Sequence, residues 1–591
     1  MSLKRRDMLL RGGSAAAALA SASFATPSEA LAQSARPPLL WQQTADVIVI
    51  GSGAAGLPAS IVAREAGSSV VLIEAEKDIG GHAITSGGNV PLGGGTSLQK
   101  KYGVNDSPDL LFRDLTDWSV VEPNGFPDYR YNDREIIRAF ADNSAPTYEW
   151  LVKHGVVFVD KAPDGFGGTS VGNSVPREAH SAVMNWPMVQ TGKAADPAIA
   201  PLTSSGNGLM RPLEAAAKKV GVQLLLQHKM VGLYRQSPNG GRVTGVVVVD
   251  NTGKKITIRA RKAVIIATGG SSGNVNFRRM FDPRLTEEYC GIAGMPWSDQ
   301  DAVGEIAAMG VGASLWGLYN QTGEFGSNLT KPGFIGCQYG YVNLQWMPGS
   351  PVFSKARASG LQVRNWQDLI LVNMLGKRFY DETGPQYDSN DYNSINPYTQ
   401  DSYLNAKNVA FNPKNWIDAA MAGFNDGHNG GGPIWAIFDA DAVAREKWNP
   451  TPPNVDTGAG FFFSANTIGE LASAIKMKYQ RLPMPPDALQ DSVTRYNSFV
   501  DSGTDSDFGK PKPLYKIAKP PFYAAWSTPV VHDTRAGLRI NAKCQVMDMN
   551  GSVIPGLYSG GESAGGFSQH GLARAACQGY IAGKNAAAEK A

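Results

Sequence analysis

Short apolar runs recur through the first half of the chain, each closing on small or glycine-rich sequence. Val47-Ile-Val-Ile50 runs into Gly51-Ser-Gly53-Ala54-Ala55-Gly56, and Val70-Val-Leu-Ile73 runs into Glu74-Ala75. A continuous apolar run closed by a turn predicts a strand buried on both faces, and the Ala-rich stretch between the two predicts a helix. Gly221 to Leu226 reads as another strand. Arg242 to Asp250 and Lys255 to Arg259, joined through Asn251-Thr-Gly253, read as a hairpin with period-two alternation on the return. Lys262 to Ile266 reads as a separate buried strand entering Ala267-Thr268-Gly269, and Gly556 to Ser559 as one entering Gly560-Gly561-Glu562. Strands and helices thus alternate over residues 40–345. From 346 to 515 the texture changes, with long polar stretches such as Gln386 to Lys407 beside helical ones such as Ile468 to Arg481. From 516 to 591 the first texture returns. An α/β domain in two parts, interrupted by an α+β insertion, is the expected architecture. There is no internal repeat and no transmembrane run.

The first glycine cluster carries chemistry. Strand, Gly-x-Gly-x-x-Gly turn, helix, strand and a carboxylate 18 residues beyond the last glycine make the dinucleotide-binding unit. Gly51 makes the turn, Gly53 lets backbone approach a pyrophosphate, and Gly56 lets helix and strand pack closely. The helix N-terminus, opening at Ala54 and Ala55, offers free N–H groups and partial positive charge to phosphates. Glu74, with Ala75 beside it, is placed for a ribose. Three further segments direct the reading to FAD rather than NAD: Ala267-Thr268-Gly269, the Gly561-Glu562 loop with an acid suited to a ribityl chain, and Gly81-His82-Ala-Ile-Thr-Ser86-Gly87-Gly88, whose small residues suit an isoalloxazine ring. A Rossmann-like FAD-binding domain is therefore expected.

Composition narrows the class. Hydrophobic residues at 42% and charged residues at 18% describe a globular chain, and 591 residues exceed one ordinary core. Lys4-Arg5-Arg6-Asp7-Met8-Leu9-Leu10, a weakly apolar Ala-rich stretch and Ala30-Leu31-Ala32 make residues 1–32 read as a twin-arginine signal peptide. Export by the twin-arginine machinery to the periplasm, with FAD loaded before export, is the expected route. Without that segment the formal charge falls from +3 to about +1, which indicates neither nucleic acid nor an anionic membrane as partner. Cys290, Cys337, Cys544 and Cys577 form no C-x-x-C pattern, and the seven histidines show no ligand-like spacing, so no metal or covalent haem is expected. One disulfide is open in an oxidising compartment, with separate buried thiols the default.

The glycine-rich segments, in this order, resemble the flavoprotein subunit family of fumarate reductase and succinate dehydrogenase, and within it the single-chain members: soluble fumarate reductases, urocanate reductase, 3-ketosteroid dehydrogenases and tricarballylate dehydrogenase. The likeness runs from about Ala45 to Ala591 and includes Gly376-Lys-Arg378-Phe-Tyr-Asp-Glu382 and Pro521-Phe-Tyr523 through His532-Asp-Thr534-Arg-Ala536-Gly537. The resemblance implies that the 346–515 insertion caps the flavin. It also implies that His532 contacts a substrate carbonyl or carboxylate, that Arg574 clamps a carboxylate, and that His570 lines the same pocket. A strand-capping histidine and a surface helix arginine are the structural alternatives for the first two. The fumarate reductases carry an arginine proton donor shortly after the Gly-Lys-Arg-Phe segment; here Thr383 to Asp388 has none. Tyr387 is the substitute by analogy with the ketosteroid enzymes, with a packing role equally open. Gly537 is left to offer its N–H to the flavin or an oxyanion, and Ala536 replaces a family glycine. His82 lies one residue off the spacing of the covalently flavinylated relatives, so noncovalent FAD is favoured.

These readings converge on an exported flavoenzyme that interconverts C–C and C=C bonds beside a carbonyl or carboxylate of a small molecule, by hydride exchange with flavin N5. The aromatic density from Trp316 to Trp366 favours a ring-shaped substrate if it lines the cap. With no haem motif and no second nucleotide fold, dehydrogenation with a quinone, a cytochrome or oxygen as acceptor is the favoured direction. A reductase of acrylate-type acids fed by a donor protein is the alternative within the class. A non-catalytic flavin electron-transfer or assembly subunit is the alternative outside it.

Overall fold

The computed structural model describes residues 40–116, 132–164, 174–184, 189–190, 205–238, 240–281, 287, 291–292, 294–316, 333–340, 345–379, 381–383, 433–480, 482–527, 530–531, 534–567 and 571–591. His532, His570, Tyr387 and Cys290 lie outside the described residues, as do the signal-like segment and the polar run from Gln386 to Lys407.

The first unit begins with β1 (Gln43–Ile50), α1 (Gly56–Glu65) and β2 (Val70–Ile73). It continues with α2 (Arg134–Lys153), α3 (Asn207–Val220) and β3 (Gln223–Leu225), then β4 (His228–Ser237), β5 (Gly240–Asp250), β6 (Lys255–Ile266) and α4 (Val303–Met309). The inserted unit holds β7 (Ile370–Val372), β8 (Trp435–Phe438), β9 (Phe462–Ala465), α5 (Pro486–Ser502) and β10 (Phe522–Trp526). The chain then closes the first unit with β11 (Gln545–Met547), β12 (Val553–Ser559) and α6 (Leu572–Ala588).

The central sheet runs β11-β12-β6-β1-β2-β3, with β4 and β5 added through β6. Its β12-β6-β1-β2-β3 portion is parallel, with Ile50 level with Ile73 and Ile266, and Ser559 level with Ile266. The C-terminal ends of β1, β6 and β12 therefore share one edge, and all three glycine-rich loops leave from it. Ligands of open α/β sheets bind at that edge. The expected α/β architecture is present. The return strand of the hairpin and the buried strand at Lys262 to Ile266 are one strand, β6, rather than two. Its first half pairs antiparallel with β5 and its second half pairs with β12, while β1 runs alongside most of its length.

The inserted unit is built on an antiparallel sheet, β7-β8-β10-β9. Side chains alternate between its faces: Ala436 and Phe438 enter one core with Leu371 and Ala525, and Trp435 and Ile437 enter the other with Ile370, Val372 and Trp526. The chain crosses between the cores more than once here: Ile335 packs with Leu361 in a core of the inserted unit, whereas Trp346, Val352 and Ala356 pack into the core of the first unit. At the far end, Phe522–Trp526 is a strand of the inserted sheet, so the crossing back falls after it rather than at 516. The aromatic side chains described between Trp316 and Trp366 are packing residues: Trp346 is buried and donates its Nε1–H to the Met295 carbonyl at 3.0 Å, and Phe334 packs with Cys337 and Ala358. Cys337, Cys544 and Cys577 are buried free thiols. The helix expected over Ile468 to Arg481 spans only Ile468–Ala474, opened by a Thr467/Glu470 capping box and ended by Ile475 in extended conformation.

Arg378 and Glu382 of the Gly-Lys-Arg-Phe segment form a sealed ion network. Arg378 donates to both oxygens of Glu382 at 2.9 and 2.8 Å and to Asp505 at 3.0 Å. Lys510 lies 3.2 Å from Glu382 and donates to the carbonyls of Trp366 and Leu369. All four side chains are buried. The motif is a structural anchor of the inserted unit.

Candidate flavin site

The turn after β1 fits a dinucleotide in its details. Gly51 has φ of +95° and a Cβ there would run into the Ala267 carbonyl, so only glycine serves. A Cβ at Gly56 would strike the Gly51 carbonyl and touch Val49 at 3.4 Å, which is the close helix–strand approach expected of this position. At Gly53 the nearest atom to such a Cβ is the Gly80 carbonyl oxygen at 3.7 Å, so the crest of the turn is bare backbone. Ala54 and Ala55 are buried at the start of α1, and no side chain caps its first N–H groups. Those donors suit a pyrophosphate.

Glu74 is buried at the end of β2. One of its oxygens accepts the Ser52 N–H at 2.9 Å and the Ser52 hydroxyl at 2.6 Å, and the other accepts the Glu76 N–H at 2.9 Å. These bonds hold the carboxylate rigidly beside the turn with lone pairs left for a ribose. Ala75 is exposed next to it. Burial, only partly opposed by Lys355 and reinforced by Asp299 and Glu74, pushes the Glu76 carboxyl up to about 7.

The other three loops meet over the same edge. Gly81 and His82 open a short helix, Gly81–Ile84, after Gly80 in left-handed conformation. Ser86 closes it by donating to the Ala83 carbonyl at 2.8 Å, and Gly88, at φ +82°, passes against the backbone of Ser205 with Gly87 before it. His82 Nδ1 lies 3.8 Å from Glu562. Ala267 continues β6 by donating to the Ile50 carbonyl. Thr268 Oγ1 is 3.4 Å from Ser563 Oγ, which in turn donates to the Gly269 carbonyl at 2.9 Å. Gly561, at φ +72°, would bring a Cβ to 3.2 Å from that of Ala55, so this loop sits beside the N-terminus of α1. Gly537 lies in a short strand against Leu315–Trp316, and a Cβ on it would meet Ser563 and Ala564. Its observed role is to let that strand abut the Glu562 loop. Bare glycine turns, an uncapped helix and a fixed buried carboxylate on one edge are a set that fits FAD.

Arg574 corrects the expectation of a carboxylate clamp. It is only 2% exposed. Its Nη1 donates to the Phe567 carbonyl at 2.9 Å, and its Nη2 to the carbonyls of Gly561, at 2.9 Å, and Ala564. The guanidinium is a strut inside the Glu562 loop and does not face outward. Burial, partly offset by Glu562 and deepened by Arg535, brings its pKa down to about 10, so it stays cationic near neutrality. The sequence misled because spacing places residue 574 in the first turn of α6 without saying that this face turns inward.

Residues not singled out from sequence complete the site. Ser52 holds Glu74. Gln578, one turn beyond Arg574, accepts the Gly561 N–H at 2.8 Å. Thr534 Oγ1 accepts the Ser271 N–H at 3.0 Å and joins the β6 loop to the strand of Gly537. Glu305 on α4 is wholly buried, and neither oxygen has a hydrogen-bond partner among the described residues. Burial pushes its carboxyl well above the usual range, and Asp301 and Glu562 add to the effect. The polar residues within the fingerprint and the Arg574/Gln578 spacing were the available signals; Glu305, inside an apolar helix pattern, gave one only as a charge out of place.

Comparison with known proteins agrees with this geometry. The family model described as an FAD binding domain matches residues 46–578. A vinyl phenol reductase from Lactiplantibacillus plantarum is 26% identical, covering 88% of this chain and 90% of its own. A 3-oxosteroid 1-dehydrogenase from Mycolicibacterium smegmatis is 26% identical, covering 88% and 92%. In fold, the open conformation of a flavocytochrome c3 fumarate reductase superposes with a TM-score of 0.59 at 22% identity, over 93% of this chain and 79% of that one. The chain thus belongs to the FAD-binding-domain family and is an FAD-dependent oxidoreductase of the reductase and dehydrogenase kind its relatives represent.

Proposed function

We propose that this protein is a periplasmic dehydrogenase that desaturates a CH–CH bond next to the carbonyl of a cyclic substrate. FAD supplies the hydride acceptor when bound, and it is held noncovalently. The observation that carries the choice of substrate is the burial of Arg574 inside the Glu562 loop. With that cation turned away, the described part of the site offers a carbonyl compound no less than a carboxylate, and the similarity to a 3-oxosteroid 1-dehydrogenase supports the cyclic ketone. The chain's own tasks are then three. The glycine turns and Glu74 bind the dinucleotide, the Glu562 loop orients the ring system, and a proton leaves the carbon beside the carbonyl. Tyr387 is the proposed base for that proton, His532 the group that polarises the carbonyl, and His570 a further candidate for the same pocket. Electrons leave to a quinone, a cytochrome or oxygen. The twin-arginine pattern at residues 4–10 supports export as a folded holoprotein.

The similarity to a vinyl phenol reductase favours the second reading, reduction of an acrylate-type or vinyl double bond fed by a donor protein. Anaerobic reduction with dithionite, followed by mixing with unsaturated acids and cyclic enones, separates them. Reoxidation of the flavin by cyclic enones alone supports the dehydrogenase reading. Rapid reoxidation by fumarate or a cinnamate-type acid replaces it with the second.

A further inference from the structure

α6 turns Arg574 and Gln578 toward the loop that leaves β12, and Gly579 and Gly583 toward α1. Carbonyls of Gly561, Ala564 and Phe567 converge on the Arg574 guanidinium, so one side chain fixes the whole turn from 561 to 567. No carboxylate is hydrogen-bonded to it among the described residues. Glu562 lies near enough to support its charge, and Arg535, itself 1% exposed, lies near enough to oppose it. Arg535 lies between Thr534, whose N–H donates to Glu562 at 3.5 Å, and Gly537, which abuts Ser563, so two buried arginines sit on the segments that flank the loop adjoining the N-terminus of α1. In such surroundings charge is weakly screened and acts over several ångströms.

We propose that Arg574 is a positioning residue of the flavin site which, together with Arg535, makes the bound flavin easier to reduce. Two-electron reduction places negative charge on the ring system, and a buried cation stabilises the reduced form more than the oxidised one. A more readily reduced flavin accepts hydride from carbon more readily. The inference rests on FAD binding and not on the identity of the substrate.

Charge and geometry separate by substitution. R574K keeps the charge, but an ammonium lacks the planar fork that reaches three spread carbonyls. R574M removes the charge and keeps an unbranched stem. R535M removes the second charge and leaves the three carbonyl contacts of Arg574 in place. Each holoprotein is titrated anaerobically against redox dyes, and FAD dissociation is followed by fluorescence. In R574M and R535M the ratio of reduced to oxidised flavin at a fixed dye poise should fall about tenfold, equivalent to about 30 mV for a two-electron couple. In R574K that ratio should stay within about threefold of wild type while FAD dissociates faster. A wild-type ratio in folded, FAD-loaded R535M, or an R574K ratio that falls as far as that of R574M, overturns the proposal. If R574M loses FAD altogether, the other two variants decide. Absence of FAD binding in the wild type would instead overturn the cofactor assignment itself.

Discussion

Glu305 is where a single residue departs furthest from what its surroundings favour. α4 packs by small contacts against the end of β6, since a Cβ on Gly304 would strike Thr268 and Ile266. Into this junction the chain places a carboxyl with no exposed surface and no described partner. An isolated buried charge costs far more than a buried neutral acid, so the folded protein keeps the proton. The unfolded chain releases it near the ordinary glutamate value of about 4.3. Folding stability tied to this group is therefore complete below that value and declines as pH rises above it. E305M removes both the unsatisfied oxygens and the titration. It should stabilise the protein by about 1–3 kcal/mol near neutrality, with the gap in melting temperature widening from pH 5 to pH 8. A gap that is constant with pH would show that Glu305 ionises normally in the folded state.

At the scale of elements, α1, β6 and α6 form the frame of the flavin site, and glycine decides how closely they meet. A Cβ at Gly579 would collide with the Ala55 carbonyl, and one at Gly583 with that of Ala59. α6 thus lies against the first turn of α1, the turn whose N–H groups suit the pyrophosphate. G579A should push the helices apart, cost about 1–3 kcal/mol as other overpacking does, and weaken FAD binding. G503A is the control: Gly503 sits at φ +70°, and a Cβ there meets nothing within 4 Å. It should cost stability alone, with FAD retention in gel filtration unchanged. The same frame shows what the sequence could convey. Gly56 and Glu74 were legible because their contacts, with Gly51 and Ser52, fall within one βαβ unit, where spacing fixes geometry. Arg574 was not, because the direction in which α6 faces depends on Gly579 and Gly583 meeting α1, more than 500 residues away in sequence. The continuous strand β6 was split in reading because Arg259 and Arg261 interrupt its apolar pattern; both are exposed at the sheet's end while the second half is buried.

For the whole molecule, the two units keep separate cores. The clusters around β1 and β6 share no residue with those on the two faces of the β7–β10 sheet. The inserted unit adds the Arg378–Glu382–Asp505–Lys510 network. Burial alone would raise the Glu382 carboxyl, but the charges of Arg378 and Lys510 outweigh it and hold the group at about 2. The lowered value fixes the sign. Stability from Glu382 is present above the unfolded value near 4.3 and is lost as pH falls from there toward 2. E382Q leaves two buried cations short of a carboxylate, a change that typically costs about 3–5 kcal/mol. That loss falls on the core of the inserted unit and not on the dinucleotide turn. Scanning calorimetry of the holoprotein at pH 7 should therefore show a low-temperature transition in E382Q that is merged or absent in wild type, with flavin fluorescence changing only at the later one. Lowering the wild-type protein from pH 5 to pH 3 should separate the same transition. If flavin release coincided with the first transition in both experiments, the inserted unit would be holding the cofactor, and the FAD site would have to be redrawn to include it.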